Sequence, residues 1–213
     1  MGPSDEEIVE RVVNGDVALF EILMRRYNQR VYRAVRAVLR DDDQAEDVMQ
    51  QAYLNAYAHL RQFERRAQFS TWLTRIAVNE ALARRGKRGS VADEGETMME
   101  LVPSTAPDPE QETLATELRE VMQREVEALP DAFRAVFVLR DVEGLSTAET
   151  ALSLGISEDL VKTRLHRART QLRDNLYRRG GVTLESLYAF GNARCDRVVD
   201  AVMARLAAAA VQV

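Results

Sequence analysis

One cysteine, Cys195, in a chain of 213 residues leaves no partner for an intramolecular disulfide. The two histidines, His59 and His166, stand far apart, and neither has a Cys or His at metal-ligand spacing, so no metal is expected. Proline and glycine are sparse, and β-branched residues sit inside helical patterns rather than in alternating runs, which gives no sign of a sheet. No apolar run approaches the length of a membrane span, and the N-terminus lacks a signal-peptide core. A soluble, cytoplasmic protein without membrane insertion is expected. No nucleophile–base pair, glycine-rich phosphate cradle or metal cluster can be picked out, so neither catalysis nor a cofactor is expected.

What remains is a chain rich in Ala, Leu, Arg and Glu, a composition of helices. Its net charge of −5 hides a segregation. Residues 89–112 carry Asp93, Glu94, Glu96, Glu100, Asp108, Glu110 and Glu112 with no Lys or Arg. The stretch 160–180 carries Lys162, Arg164, Arg167, Arg169, Arg173, Arg178 and Arg179, opposed only by Asp174. A second basic cluster is Arg84, Arg85, Lys87 and Arg88.

Periodicity divides the chain. Ser4 and Glu7 form a capping-box start, and Asn14-Gly15 a stop. A helix over about 16–39 places Phe20, Leu23, Tyr27, Val31, Val35 and Val38 on one face. Asp41, Asp42 and Asp43 end it and open a third helix over about 43–60. Residues 61–69 read as a loop, and Ser70 is the expected N-cap of a helix over 71–85 with Leu73, Ile76 and Ala77 inward. The acidic stretch, with Pro103, Pro107 and Pro109, reads as a flexible linker. Helical pattern resumes near 112, stops at Leu129-Pro130, and continues over 131–140 until Gly144.

Then two capped helices follow closely. Ser146 and Glu149 box the first, which ends at Leu154-Gly155; Ser157 starts the second, which runs through Tyr177. This is the plan of a helix-turn-helix, whose second helix enters the major groove. Lys162, Thr163, His166 and Arg167 share its outward face, while Leu160, Val161, Leu165, Ala168 and Leu172 are expected to face the core. A solvated basic face would explain the arginines alone, but not the two caps and the glycine turn beside them. After Gly180-Gly181 a further helical extension carries Val198, Val199, Val202, Met203 and Leu206, which is expected to pack onto the helix-turn-helix domain, the alternative being an intramolecular or partner-binding helix that modulates activity.

Three stretches together, Asp47–Leu54, the run Phe69-Ser-Thr-Trp-Leu-Thr-Arg-Ile-Ala-Val-Asn79, and Leu129-Pro130 leading to Gly144-Leu-Ser146, resemble an extracytoplasmic-function (ECF) sigma factor of bacterial RNA polymerase. The resemblance implies an all-α fold of two small helical domains and a C-terminal helical extension. Residues 1–88 would be region 2, a helical bundle; 89–111 the flexible acidic linker; 112–180 region 4, with the helix-turn-helix; and 181–213 the extension. It implies core RNA polymerase as partner, held by its clamp helices and β flap, together with promoter DNA and an anti-sigma factor.

By resemblance Asp47, Gln50, Gln51 and Leu54 meet the polymerase clamp, and Lys162, Thr163, Arg164, His166 and Arg167 read the −35 element. The −10 element falls to Phe63, Phe69, Trp72, Arg75 and Asn79, with Arg84, Arg85, Lys87 and Arg88 gripping phosphates. Trp72 fits the duplex fork or the core equally well. The family commonly carries a glycine in the loop before Phe69, where this chain has Glu64-Arg65-Arg66-Ala67-Gln68. Two other readings bear weighing. A stand-alone helix-turn-helix regulator leaves the second motif and the second basic cluster unexplained. A protein that binds polymerase without reading DNA would not need the recognition helix.

Overall fold

The computed structural model describes residues 2–88, 120–176 and 192–210. The acidic linker, the start of the helix after it, and the Gly180-Gly181 break lie outside the described residues. So do the side chains of Lys87 and Arg88.

The first half is built of four helices: α1 (Asp5–Val13), α2 (Phe20–Val38), α3 (Asp42–Ala58) and α4 (Phe69–Arg88). The box expected at the start of α1 forms, with the Glu7 amide donating to Ser4 Oγ and the Ser4 amide to Glu7 Oε2. Asp41 caps α3 by accepting from the Gln44 amide at 2.8 Å. A short 3-10 turn, Val17–Leu19, leads into α2, so that helix opens later than its apolar pattern suggests. The predicted cap at Ser70 is not used. Helix α4 begins at Phe69, the amides of Thr71 and Trp72 close onto the Gln68 carbonyl, and Ser70 is buried within the first turn.

The second half contains residues 120–127 (α5), α6 (Asp131–Phe137), α7 (Thr147–Leu154) and α8 (Glu158–Leu176). A π-helical turn, Val138–Val142, follows α6 directly, and Gly144 at φ +69° reverses the chain into α7. The last helix, α9, spans Asn192–Ala210. All the described elements are helices and turns, and none of the helices is long and apolar enough to cross a membrane.

The halves are docked on one another. Buried side chains form one continuous core, from Ile8 and Phe20 through Val35 and Leu73 to Val136, Leu139 and Val161. The seam is ionic as well as apolar. Arg30 and Arg33, one turn apart on α2, reach Glu143 at 3.6 and 3.4 Å, and Arg36 reaches Glu127 at 3.0 Å. Arg40 meets Asp131 at 2.8 Å. From the other side Arg134 is fully buried, donating to the carbonyls of Ala37 (2.9 Å) and Leu129 (3.3 Å) and to Asp131 (3.0 Å). A guanidinium out of water is tolerable only when its donors are satisfied in this way.

Helix α9 does not pack where its sequence suggests. It lies on α3 and α2 of the first half, with Val198, Val199, Val202 and Leu206 buried. The apolar stripe alone is indifferent to which half it covers. The charges beside it are not: Arg194 and Arg197 find Asp42 and Glu46 on α3, whereas the helix-turn-helix is itself basic.

Candidate nucleic-acid interface

Two separate surfaces carry the residues singled out for DNA. In the helix-turn-helix, Ser146 accepts from the Glu149 amide (3.1 Å) and Glu149 from the Ser146 amide (2.8 Å). These bonds satisfy the orphan donors that open α7. Gly155 closes α7 in the left-handed region at φ +64°, where a Cβ would be strained. Ser157 Oγ accepts from the Leu160 amide at 3.3 Å and starts α8.

On α8, Val161, Leu165, Ala168 and Leu172 are buried, which turns Lys162, Thr163, His166 and Arg167 to solvent. Arg164 is half-buried on the flank rather than on this face. Leu160, expected inside, is exposed in the first turn, beside Glu158 and Asp159. Not every cation of the run is available. Arg169 forks both oxygens of Asp141 at 2.7 Å, and Lys162 lies 3.0 Å from Asp159, a pairing that raises its pKa. Arg167 pairs with no acid among the described residues.

The second surface is α4. Leu73, Ala77, Val78 and Ala81 are buried, leaving Arg75 and Asn79 exposed one turn apart. An amide and a guanidinium on one face can together donate to a base edge and a phosphate. The aromatic residues of this region behave differently from the expectation. Phe69 is 1 % exposed and Phe63 9 %, packed edge to face with ring centroids 5.6 Å apart. A ring so enclosed offers no face on which to stack a base.

Trp72 sits half-buried at the rim of that cluster, 5.4 Å from Phe63 and 5.7 Å from Phe69. The tryptophan is thus braced by the core while keeping an outer surface. Arg65, in the preceding loop, adopts φ +56°, the one positive value outside glycine among the described residues. Arg84 and Arg85 are exposed and pair loosely, with Asp47 at 3.5 Å and Asp131 at 3.6 Å.

On α3, Asp47 and Gln51 are exposed, and Gln50 and Leu54 are half-buried. Gln51 donates to Asn55 at 3.0 Å, and Asn55 donates to Glu80 of α4 at 2.6 Å. Among the described residues no group of His, Cys, Asp and Glu is placed to hold a metal ion.

Family models match these two surfaces in order: "Sigma-70 region 2" over residues 23–91 and "Sigma-70, region 4" over residues 119–172. The chain is 34 % identical to the ECF RNA polymerase sigma factor SigW of Bacillus subtilis, over 79 % of this chain and 94 % of that one. The chain belongs to the ECF sigma factors. It is also 35 % identical to the ECF RNA polymerase sigma-E factor of Escherichia coli, over 78 % of this chain and 91 % of that one. Two solved structures share the fold of this sigma factor. One is CnrH in complex with the cytosolic domain of CnrY (TM-score 0.55, 23 % identity, 83 % of this chain and 99 % of that one). The other is the sigma factor RpoE with the anti-sigma factor NepR from Bartonella quintana (0.58, 20 %, 80 % and 99 %).

Sequence reasoning missed the seam of this factor. A trace of it was present: Arg30, Arg33, Arg36 and Arg40 recur at spacings of three and four, opposite the apolar face of α2. Such a stripe predicts an acidic neighbour, and Glu127, Asp131 and Glu143 supply one. The buried role of Arg134 left no comparable signal.

Proposed function

We propose that this sigma factor sets the promoter choice of core RNA polymerase through two readers, with residues 1–88 acting as region 2 and 112–180 as region 4. Residues 89–111 then serve as the tether and 181–213 as an appended extension. Lys162, Thr163, His166 and Arg167 contact the −35 element, with Arg164 at their flank. Arg75 and Asn79 hold unstacked bases of the −10 element, and Trp72 sits at the fork. Phe63 and Phe69 act from beneath, by fixing the ring of Trp72. Arg84, Arg85, Lys87 and Arg88 neutralise phosphates, and Asp47, Gln50, Gln51 and Leu54 meet the clamp helices, with region 4 on the β flap. The factor works in the cytoplasm, alongside polymerase, and has no catalysis of its own.

The observation that carries this reading is the pair of exposed polar faces, Arg75 with Asn79 and Lys162 with Arg167, each on a helix whose other side is core. Their docking onto one body points to a resting form. Elements centred about 25 base pairs apart lie roughly 85 Å apart on B-form DNA at 3.4 Å per step. A folded chain of this length has a radius of gyration of only about 17 Å. Both readers can therefore engage only after the halves part, and an anti-sigma factor that clasps the docked halves would hold the protein off polymerase.

Transcription reconstituted with core polymerase over a library of genomic promoters tests the assignment. Initiation at a defined promoter set is expected. Lys162→Ala with Arg167→Ala should cut use of −35-dependent promoters about tenfold or more, each good base contact contributing about 1–3 kcal/mol. Asn79→Ala should slow strand opening while leaving closed-complex formation intact. Equal activity of these variants on every template would show the readers to be elsewhere. A palindromic footprint without polymerase would instead favour a stand-alone regulator.

A further inference from the structure

Helix α9 binds the first half through its own set of contacts. Arg194 lies 2.7 Å from Asp42 Oδ2 and donates to the Tyr32 hydroxyl at 3.0 Å, and Arg197 reaches Glu46 at 2.7 Å. In the opposite sense, Asp196 accepts from Arg25 of α2 at 2.7 Å. Between them the Cys195 sulfur accepts from Asn28 Nδ2 at 2.9 Å, and Asn28 in turn accepts from the buried Tyr53 hydroxyl. Below these polar contacts Val198, Val199, Val202 and Leu206 bury the apolar stripe of the helix.

The contact is reversible in character. Arg197 and Asp196 are more than half exposed, so their pairs are screened and individually weak. The place of α9 is also informative: Glu46, Gln50 and Leu54 follow one another at i+4 on α3, so α9 starts on the stripe that continues into the residues assigned to the clamp.

We propose that α9 is an internal ligand of the α2–α3 face, competing in cis with core polymerase for region 2. The inference rests on the polymerase-binding assignment of α3 given above. The face is suited to an amphipathic helix with cations at its start, which meet Asp42 and Glu46, and an aliphatic stripe behind them. Polymerase must displace α9 to seat on it, so the apparent affinity of the factor is its intrinsic affinity scaled by the undocked fraction.

The only cysteine of the chain reports the docking directly. Cys195 modification by a thiol reagent would be timed in the free full-length factor, with core polymerase added, and in a variant combining Arg194→Glu and Arg197→Glu. That variant sets like charges against Asp42 and Glu46. Polymerase should accelerate labelling of the native chain. The variant should label faster without polymerase and bind polymerase about tenfold more tightly, as expected if about nine molecules in ten are docked. Circular dichroism would show that its helices remain. Faster labelling with unchanged or weaker polymerase binding would overturn the competition, as would a Cys195 equally protected in the holoenzyme. Binding of polymerase by neither form would overturn the clamp assignment itself, while the labelling rates would still show whether α9 is docked.

Discussion

At the scale of single residues, Arg65 stands in a left-handed backbone conformation that glycine adopts without cost. Its φ of +56° lies in the left-handed region, which an L side chain adopts at a cost of about 1–2 kcal/mol. The long side chain is otherwise free of commitment, lying 3.6 Å from Glu10 at the surface. Arg65→Gly should therefore leave stability within about 1 kcal/mol, strain relief offsetting chain entropy. Arg65→Val, branched at Cβ, should lower it by about 1–2 kcal/mol, and urea unfolding of the two variants would measure the difference. Arg75 and Asn79 were legible in the sequence because one turn of helix and a pattern of apolar neighbours decide exposure. Phe69 was not, because a motif records a residue type and not whether its ring faces water or the core.

At the scale of elements, caps and turns were the most legible features. The box at Ser4, the box at Ser146 and the left-handed Gly155 all depend on residues within one turn of each other. Ser146→Ala should cost about 1 kcal/mol through the loss of one cap bond, read as a lowered unfolding midpoint with little change in slope. Glu149 adds a contact that the box pattern does not disclose, accepting from Thr71 Oγ1 of α4 at 2.9 Å. The amide of Ser146 holds its carboxyl below the usual range, with Thr71 contributing less. The helix-turn-helix is thus tied to α4 by its own cap. Where signals competed, the nearer chemistry did not always win: at Ser70 a good capping residue lies inside the helix, because burying Phe69 draws the first turn back by two residues.

At the scale of the whole molecule, the docked state depends on carboxylates that are ionised against arginines. Burial opposes the charge on Asp42, but Arg36, Arg194 and the Tyr32 hydroxyl together hold its carboxyl below the ordinary 3.8. For Asp131 burial is likewise outweighed, by Arg134 and Arg40. A pKa depressed on folding contributes stability that is complete above the unfolded value and is lost as the pH falls through the folded one. Glu143 runs the other way: burial raises its pKa despite Arg33 and Arg30, so its protonation favours the folded state. Stability and docking should therefore persist from neutrality down to about pH 5 and decline below about pH 4. Asp42→Asn should reduce stability at pH 7 and flatten that acid limb, and unfolding curves at a series of pH values would check both.

The sequence by itself determined the order of the helices, the capping boxes at Ser4 and Ser146, most of each inward face (Leu160 excepted) and the order of the two sigma regions. These follow from residues three or four apart, whose interactions are the same wherever the helix is placed. Only the tertiary structure decided how the units meet. The partners of Arg36 and Arg134, the burial of Phe63 and Phe69, and the choice of α3 rather than the helix-turn-helix by α9 all depend on residues distant in the chain. Charges there are matched across a surface that no local spacing records.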